Sequence, residues 1–353
     1  MKITFANPEM NVCHVVVGEH EGRALSSFIT LNRGEIDFLH KYKTSSQSSA
    51  PTFHTFLRSR EDDSCVTCLH VISVSKTNFT EIEAQELGGK IFAAASASIF
   101  PVPASSAQSR EQPPLLIEPS FTQSSFSAVP VAPTIVPEED QQMADVVLDF
   151  STVWDPTIVA NIALGFRIRS FSFTKYITKN NSAAKEFGQV FIMSSNNRIT
   201  EQVYSDLVPI ADAVDLAREL SSEPPNVLSP EAMVKVARDL KRFGVKTEIL
   251  EEKDMKKLGM EALLSVGQGS ANESFMAICQ WHGGHQDDAP IALVGKGVTF
   301  DSGGISIKPS NNMHEMKEDM TGAAVVLATL QMAAQLKLPV NLIGVVGLVE
   351  NMP

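Results

Sequence analysis

Short runs of consecutive apolar residues alternate with longer, periodically apolar segments in the first half of the chain. The runs VCHVVVG, CVTCLHVISVS and MADVVLDF predict buried strands. Apolar residues at three- and four-residue steps predict helices in EIEAQELGGKIFAAASASIF, which contains a glycine pair, and in TIVANIALGFRIRSFSF. This alternation of strands and helices predicts an N-terminal α/β domain over residues 1–190.

The second half continues the alternation. SDLVPIADAVDLARELSS predicts a helix that ends at EPPN, because proline cannot continue a helix. SPEAMVKVARDLKRFG predicts a helix with Ser229 as N-cap, Pro230 at the first position and Gly244 at the end. KTEILE, FMAICQW, APIALVG and VNLIGVVGLVE predict strands, and AAVVLATLQMAAQL predicts a further helix. For residues 191–353 the pattern predicts a mixed, mostly parallel sheet flanked by helices.

One segment lacks any periodic apolar pattern. Between residues 101 and 137, proline, serine and glutamine replace the regular spacing of apolar side chains. We expect this segment to be a loop or linker inserted into the N-terminal domain.

Composition narrows the class of protein. A chain of 353 residues with 43% hydrophobic residues can form the cores of two or three domains. A formal net charge of −12 argues against nonspecific nucleic-acid binding, which depends mainly on Lys and Arg at the phosphates. No apolar run approaches the roughly 20 residues of a membrane span, and none at the start has signal-peptide length. We therefore expect a soluble cytoplasmic protein with no membrane partner.

The four cysteines are too few and too scattered for a disulfide framework, so reduced thiols are expected. The CVTC motif of residues 65–68 has the spacing of a redox motif or of half a zinc site. No second CxxC and no HxxxH complete it, which favours two ordinary thiols.

VGKGVTFDSGG, residues 294–304, is predicted to be a loop that begins where the strand IALV ends. Ligands of α/β sheets bind beyond the carboxyl ends of strands, so this position favours a functional loop. Three interpretations are open. A phosphate loop would need the order GxxxxGK[ST], which is absent. A structural turn would pair Lys296 with Asp301, and the third interpretation is a metal site.

The metal interpretation depends on Lys308 and Asp319, which follow within the next 20 residues. Carboxylates are hard oxygen ligands that suit divalent ions, and one carboxylate can bridge two ions about 3.5–4 Å apart. A lysine amine binds a metal only when it is neutral, and nearby cations favour the neutral form.

The segment VGKGVTFDSGGISIKPSNNMHEMKEDMTGAA resembles the signature of the leucyl aminopeptidase family of dinuclear metallopeptidases. The resemblance extends to ELSSEPPNVLSPEAM, LGMEALLSVGQGSANE and VGLVENMP, and covers roughly residues 205–353. It implies hydrolysis of an N-terminal residue, often leucine, from peptide substrates. It also implies two divalent ions, zinc, manganese or magnesium, and a homo-hexameric assembly.

Carried over by position, the resemblance implies that Lys296, Asp301 and Asp319 are metal ligands, with Asp301 shared by both ions. Lys308 becomes the catalytic lysine, which would stabilise the tetrahedral oxyanion. Met316 matches a residue of the pocket for the leaving side chain, although a core methionine at a helix start is an equally open interpretation. The resemblance does not use His314, and His282 and His285 lie in a polar turn between strands, so all three are expected outside the site.

The family pattern continues to an NTDAEGR segment that supplies two further acidic ligands, and this sequence has no such segment. The expectation is therefore a C-terminally truncated metal-dependent aminopeptidase. The alternative is a catalytically inactive family member that acts as a binding or assembly subunit.

Overall fold

The computed structural model describes residues 2–4, 14–20, 23–24, 52–59, 66–73, 79–99, 146–151, 154–178 and 189–353. The predicted insertion at 101–137 and the side chains of the CVTC motif lie outside these residues. The described residues of Met1–Phe79, Lys90–Asp155 and Lys185–Asn197 form one compact unit. Those of Thr80–Gly89, Pro156–Ala184 and Arg198–Pro353 form a second. The predicted boundary near residue 190 stays a prediction.

The first unit is built on one sheet. Its strands are β1 Lys2–Thr4, β2 His14–His20, β3 Arg23–Ala24, β4 Thr52–Ser59, β5 Val66–Ser73, β6 Val146–Phe150 and β7 Gln189–Ser194. The strand order is β1-β7-β6-β2-β5-β4, with β3 paired to β2. All pairings are parallel except β4 with β5 and β3 with β2. Every residue of β6 is buried, Asp149 included, which explains why its other four residues are apolar.

The apolar pattern does not predict β1, β3, β4 or β7. The three residues of β1 are too few to show a period. β4 lies at the end of the strand order and is antiparallel to its neighbour, a position that does not require a continuous apolar run.

The helices are α1 Glu81–Ile99, α2 Pro156–Arg169, α3 Asn197–Ser222, α4 Pro230–Asp239, α5 Glu252–Lys257, α6 Glu261–Gly267 and α7 Thr321–Gln335. Two 3₁₀ helices, Leu240–Phe243 and Met313–Glu318, complete the set among the described residues. The predicted N-cap of α4 is confirmed, because the Ser229 hydroxyl accepts from the Ala232 amide. Gly244, with φ +90°, caps the 3₁₀ helix Leu240–Phe243 that continues α4. No helix in the described part of the chain has both the length and the apolar character needed to span a bilayer.

Gly88, the first glycine of the pair inside α1, has a packing role. A Cβ atom at Gly88 would lie 1.9 Å from the carbonyl oxygen of Ile162 in α2. In the same way, a Cβ atom at Gly165 would lie 1.8 Å from the carbonyl oxygen of Gln85. The two helix backbones therefore touch directly, which only residues without side chains allow.

The second unit contains a four-stranded sheet with the order β10-β11-β9-β8. Its strands are β8 Lys246–Glu251, β9 Phe275–His282, β10 Ile291–Asp301 and β11 Asn341–Asn351. β10 and β11 are parallel, and the other two pairings are antiparallel. The predicted α/β fold with a mixed sheet and flanking helices is confirmed. One of the three described pairings in this sheet is parallel, so "mixed" describes it better than "mostly parallel".

The core of the second unit lies between this sheet and the helices α4 and α7. Met233 of α4, Leu327 and Leu330 of α7, and Val346 and Leu348 of β11 are buried there. Cys279 of β9 lies in the same cluster as a free thiol, as expected, and burial raises its pKa. This core fixes β10, β11 and the start of α7 relative to one another.

Candidate functional site

The prediction of a loop over residues 294–304 is wrong in its first part, because β10 continues through GKGVTFD to Asp301. Glycine is disfavoured in a strand unless another backbone approaches closely. Here a Cβ atom at Gly295 would lie 2.6 Å from the carbonyl oxygen of Gly322, in the first turn of α7. The glycines therefore allow β10 to lie against the start of α7, and this contact brings Lys296 towards Asp319.

A bulge places Lys296 and Asp301 on the same side of β10. Side chains alternate along a strand, so residues five apart point to opposite faces. The pairing with β11 changes register between Val298 and Asp301, where three steps along β10 match two steps along β11. The extra residue reverses the alternation. As a result, Lys296 Nζ lies 3.6 Å from Asp301 Oδ2.

Both carboxylate oxygens of Asp301 have fixed partners. Oδ1 accepts from the Gly303 amide at 3.0 Å and from Asn351 Nδ2 at 2.7 Å. Oδ2 accepts from Lys308 Nζ at 2.8 Å. The Asp301 side chain is only 13% exposed. Its orientation is therefore determined by the protein before any ligand binds.

The pKa of Asp301 is lowered well below its usual range. Burial alone would raise it, but hydrogen bonds from Lys308, the Gly303 amide and Asn351 stabilise the charged form and outweigh burial. The carboxylate is therefore ionised at neutral pH, as a metal ligand must be.

Asp319 lies directly after the 3₁₀ helix Met313–Glu318 and before α7. Lys296 Nζ donates to its Oδ2 at 2.5 Å. The amine of Lys296 therefore lies within 4 Å of two carboxylates from different segments, Asp301 and Asp319. The position of the Lys296 amine, between two negatively charged carboxylates, therefore favours a positive charge.

Lys308 reaches the site from the turn after β10. Gly303 and Gly304 have φ of +91° and +67°, a conformation that glycine adopts without strain. The turn is closed by a hydrogen bond of 2.9 Å from the Lys308 amide to the Ser302 carbonyl. The turn also directs the Gly303 amide towards Asp301 Oδ1. Lys308 Nζ also lies 3.1 Å from Met316 Sδ, so Met316 contacts the predicted catalytic amine.

The structure thus brings together all five residues predicted from the motif, Lys296, Asp301, Lys308, Met316 and Asp319. Their individual roles stay predictions. Of the histidines expected outside the site, His314 is exposed, and His282 pairs with the opposite end of β11 from Asn351. Within the described ranges, no group of three or more His, Cys, Asp and Glu side chains could hold a metal ion. The cluster at Asp301 consists of two carboxylates and two amines.

Asn351 is a site residue that the sequence interpretation missed. It ends β11, pairs with Asp301 across the two parallel strands, and orients the Asp301 carboxylate. Its carbonyl also accepts from the Ser302 hydroxyl at 2.7 Å. The sequence did contain a signal for this role. Asn351 is a polar residue at the carboxyl end of a predicted strand, and α/β sheets bind ligands at that end.

We expect Gly295→Ala to destabilise the second unit, because the added methyl group would overlap the backbone of α7. Overpacking of this kind costs about 1–3 kcal/mol in free energy of unfolding. Urea denaturation followed by circular dichroism measures it. The control Val294→Ile adds one methylene group at the neighbouring position, whose side chain is exposed, and should be neutral. Equal stability of the two variants would contradict the close contact.

The fold and the site together define a class: an α/β protein with a carboxylate and amine cluster at the carboxyl ends of two parallel strands. The sequence profile described as "Cytosol aminopeptidase family, catalytic domain" matches residues 215–353. The resemblance to the leucyl aminopeptidase family is therefore confirmed, because this segment matches that family's catalytic domain.

The curated relatives that match this chain carry the name of the same family. The chain is 46% identical over 197 residues to a probable cytosol aminopeptidase of Rhizobium leguminosarum bv. trifolii, covering 55% of this chain and 40% of the relative. It is 47% identical over 197 residues to a probable cytosol aminopeptidase of Agrobacterium fabrum, with the same two coverages, 55% and 40%. The chain thus spans about 40% of the length of the curated relatives it matches.

Solved structures share the fold. The bottromycin maturation enzyme BotP in complex with Mn matches with a TM-score of 0.63 and 22% identity, over 97% of this chain and 60% of that one. The cytosol aminopeptidase from Coxiella burnetii matches with a TM-score of 0.60 and 19% identity, over 98% of this chain and 61% of that one. At these identities the likeness shows the fold alone.

Proposed function

We propose that this chain carries a divalent-metal site of an aminopeptidase that removes N-terminal, leucine-like residues from peptides. The observation that supports this most directly is the position of Lys296 Nζ between the carboxylates of Asp301 and Asp319. It lies inside the segment that matches the family's catalytic domain. The names of the curated relatives and the manganese in the BotP complex support the activity and the need for a metal.

The residues fit one divalent ion. Lys296, Asp301 and Asp319 offer one amine and two carboxylates, which equals the three protein ligands of many catalytic metal sites. The ion would replace the proton of the Lys296 amine, so that the positive charge between the two carboxylates is kept. The resemblance implies a second ion that shares Asp301, and we propose it on that ground alone. Peptide substrates, a homo-hexamer and a cytoplasmic location are proposed on the same ground.

A bound divalent ion polarises a scissile carbonyl and lowers the pKa of a bound water. The chain's own residues supply the rest. Lys308, whose side chain is 35% exposed, would donate a hydrogen bond to the oxyanion that develops on the carbonyl oxygen. Asp301 holds the amine of Lys308 in place before substrate binds. Met316, in contact with that amine, would offer apolar surface to the substrate side chain.

The proposal is tested by titrating the metal-free chain with Mn²⁺ in a calorimeter and by assaying leucine p-nitroanilide hydrolysis with Mn²⁺ present. We expect saturable binding and turnover. N-acetyl-leucine p-nitroanilide is the matched control substrate, because an aminopeptidase requires a free amino group. Binding without turnover would favour the binding or assembly subunit, and no Mn²⁺ binding would contradict the proposed site.

A further inference from the structure

The 3₁₀ helix Met313–Glu318 and the residue that caps its end, Asp319, present two of the site residues on one side. A 3₁₀ helix has three residues per turn, so side chains at positions i and i+3 lie one above the other. Met316 and Asp319 have this spacing, and they contact Lys308 and Lys296 respectively. Lys317 follows Met316 by one position, about a third of a turn away from the side that carries the site residues.

Lys317 attaches this helix to the end of α3. Its Nζ donates to the carbonyl of Ser221 at 3.1 Å and to the carbonyl of Ser222 at 3.0 Å. These are the last two residues of α3, where helix carbonyls have no partner within the helix and the helix dipole favours a positive charge. The Lys317 side chain is only 28% exposed, although lysine side chains in proteins are mostly exposed to solvent.

A buried, hydrogen-bonded carboxylate lies near Lys317 at the end of α3. Glu223, the residue after α3, is buried and accepts from Tyr176 Oη at 2.6 Å and from Lys175. Burial would raise the pKa of Glu223, but the hydrogen bonds from Lys175 and Tyr176 and the charges of Lys175 and Lys317 lower it. The anionic Glu223 therefore adds to the attraction that holds Lys317 at this helix end.

Thr321 also holds the segment around Asp319. The Thr321 hydroxyl donates to the carbonyl of Glu318 at 2.6 Å, across the turn that contains Asp319. The hydroxyl oxygens of Thr321 and Ser221 lie 3.0 Å apart. The backbone around Asp319 is thus held both at Lys317 and at Thr321, in each case next to the end of α3.

We propose that Lys317 is a positioning residue for Asp319 and Met316. By binding the end of α3, it fixes the 3₁₀ helix so that the Asp319 carboxylate faces Lys296 and Asp301. This inference rests on the proposed metal site, and it adds a residue that contacts neither metal nor substrate. Partners that orient metal ligands typically contribute about 10–100-fold to metal affinity.

The test compares Lys317→Met with Lys317→Arg in the full 353-residue chain. Lys317→Met keeps most of the length of the side chain but cannot donate a hydrogen bond, so we expect Mn²⁺ affinity to fall by about tenfold. Amide hydrogen exchange in residues 313–321, measured by mass spectrometry without metal, should become about tenfold faster. Lys317→Arg should restore both values. Lys256→Met, at an exposed lysine in a surface ion pair, is the control and should leave both unchanged.

The possible results either support or overturn the proposed role of Lys317. Unchanged exchange in Lys317→Met would overturn it, because the 3₁₀ helix would then be held without this side chain. Faster exchange with tighter Mn²⁺ binding would also overturn it, since Lys317 would then act only as a repelling charge. If the unaltered chain binds no Mn²⁺, the proposed metal site fails, and the exchange rates alone decide whether Lys317 holds the segment.

Discussion

Replacing Lys308 with alanine should lower the Mn²⁺-dependent turnover of leucine p-nitroanilide by about 10²–10³-fold. The loss of one preorganised donor to an oxyanion has an effect of this size. Lys308 is suited to that role because its amine is held by Asp301 and yet remains partly accessible. The measurement is kcat at saturating Mn²⁺, compared between the unaltered chain and the variant.

Mn²⁺ affinity should not fall in the same variant. Lys308→Ala removes a positive charge that lies 2.8 Å from Asp301 Oδ2, and the repulsion of a bound cation decreases with it. Asp301 keeps its orientation through Gly303 and Asn351. A loss of turnover with retained Mn²⁺ binding therefore separates a catalytic role from a structural one.

Lys256→Ala is the matched control for Lys308→Ala, because it removes an exposed lysine from a surface ion pair. It should leave kcat unchanged. Full activity of Lys308→Ala would contradict the proposed role, and weakened Mn²⁺ binding would show that Lys308 mainly maintains the shape of the site.

Replacing Asp301 with asparagine should weaken Mn²⁺ binding by at least about 100-fold, the upper end of the effect of groups that only support a ligand. The side chain keeps its size but loses the charge that attracts the cation. In addition, Lys308 would lose the carboxylate that its amine contacts, and Lys296 would keep Asp319 but lose the charge of Asp301. Calorimetric titration with Mn²⁺ measures the loss, and hydrolysis should disappear with it.

Asp287→Asn is the control for Asp301→Asn, since it removes an acid whose side chain is 91% exposed. Its Mn²⁺ affinity should equal that of the unaltered chain. Thermal unfolding of both variants without metal shows whether the chain remains folded. A folded Asp301→Asn variant that binds Mn²⁺ normally would eliminate Asp301 as a ligand.

The sequence determined the elements that depend on local physical chemistry. The apolar residues of β6 reflect its burial, and Ser229 and Gly244 cap α4 and its 3₁₀ extension as predicted. The motif also determined which residue types are available at the site, namely Lys296, Asp301, Lys308, Met316 and Asp319. In each case the cause acts within a few residues along the chain.

Only the tertiary structure decided how these side chains meet. The glycines of GKG were predicted to form a loop, but contact with α7 keeps them in β10, and the bulge after Val298 brings Asp301 to the side of Lys296. Asn351 orients Asp301 from 50 positions away, and Lys317 reaches the end of α3 across 95 and 96 positions. Apolar periodicity records which face of an element is buried. It does not record which distant element covers that face, because that depends on how the whole core packs.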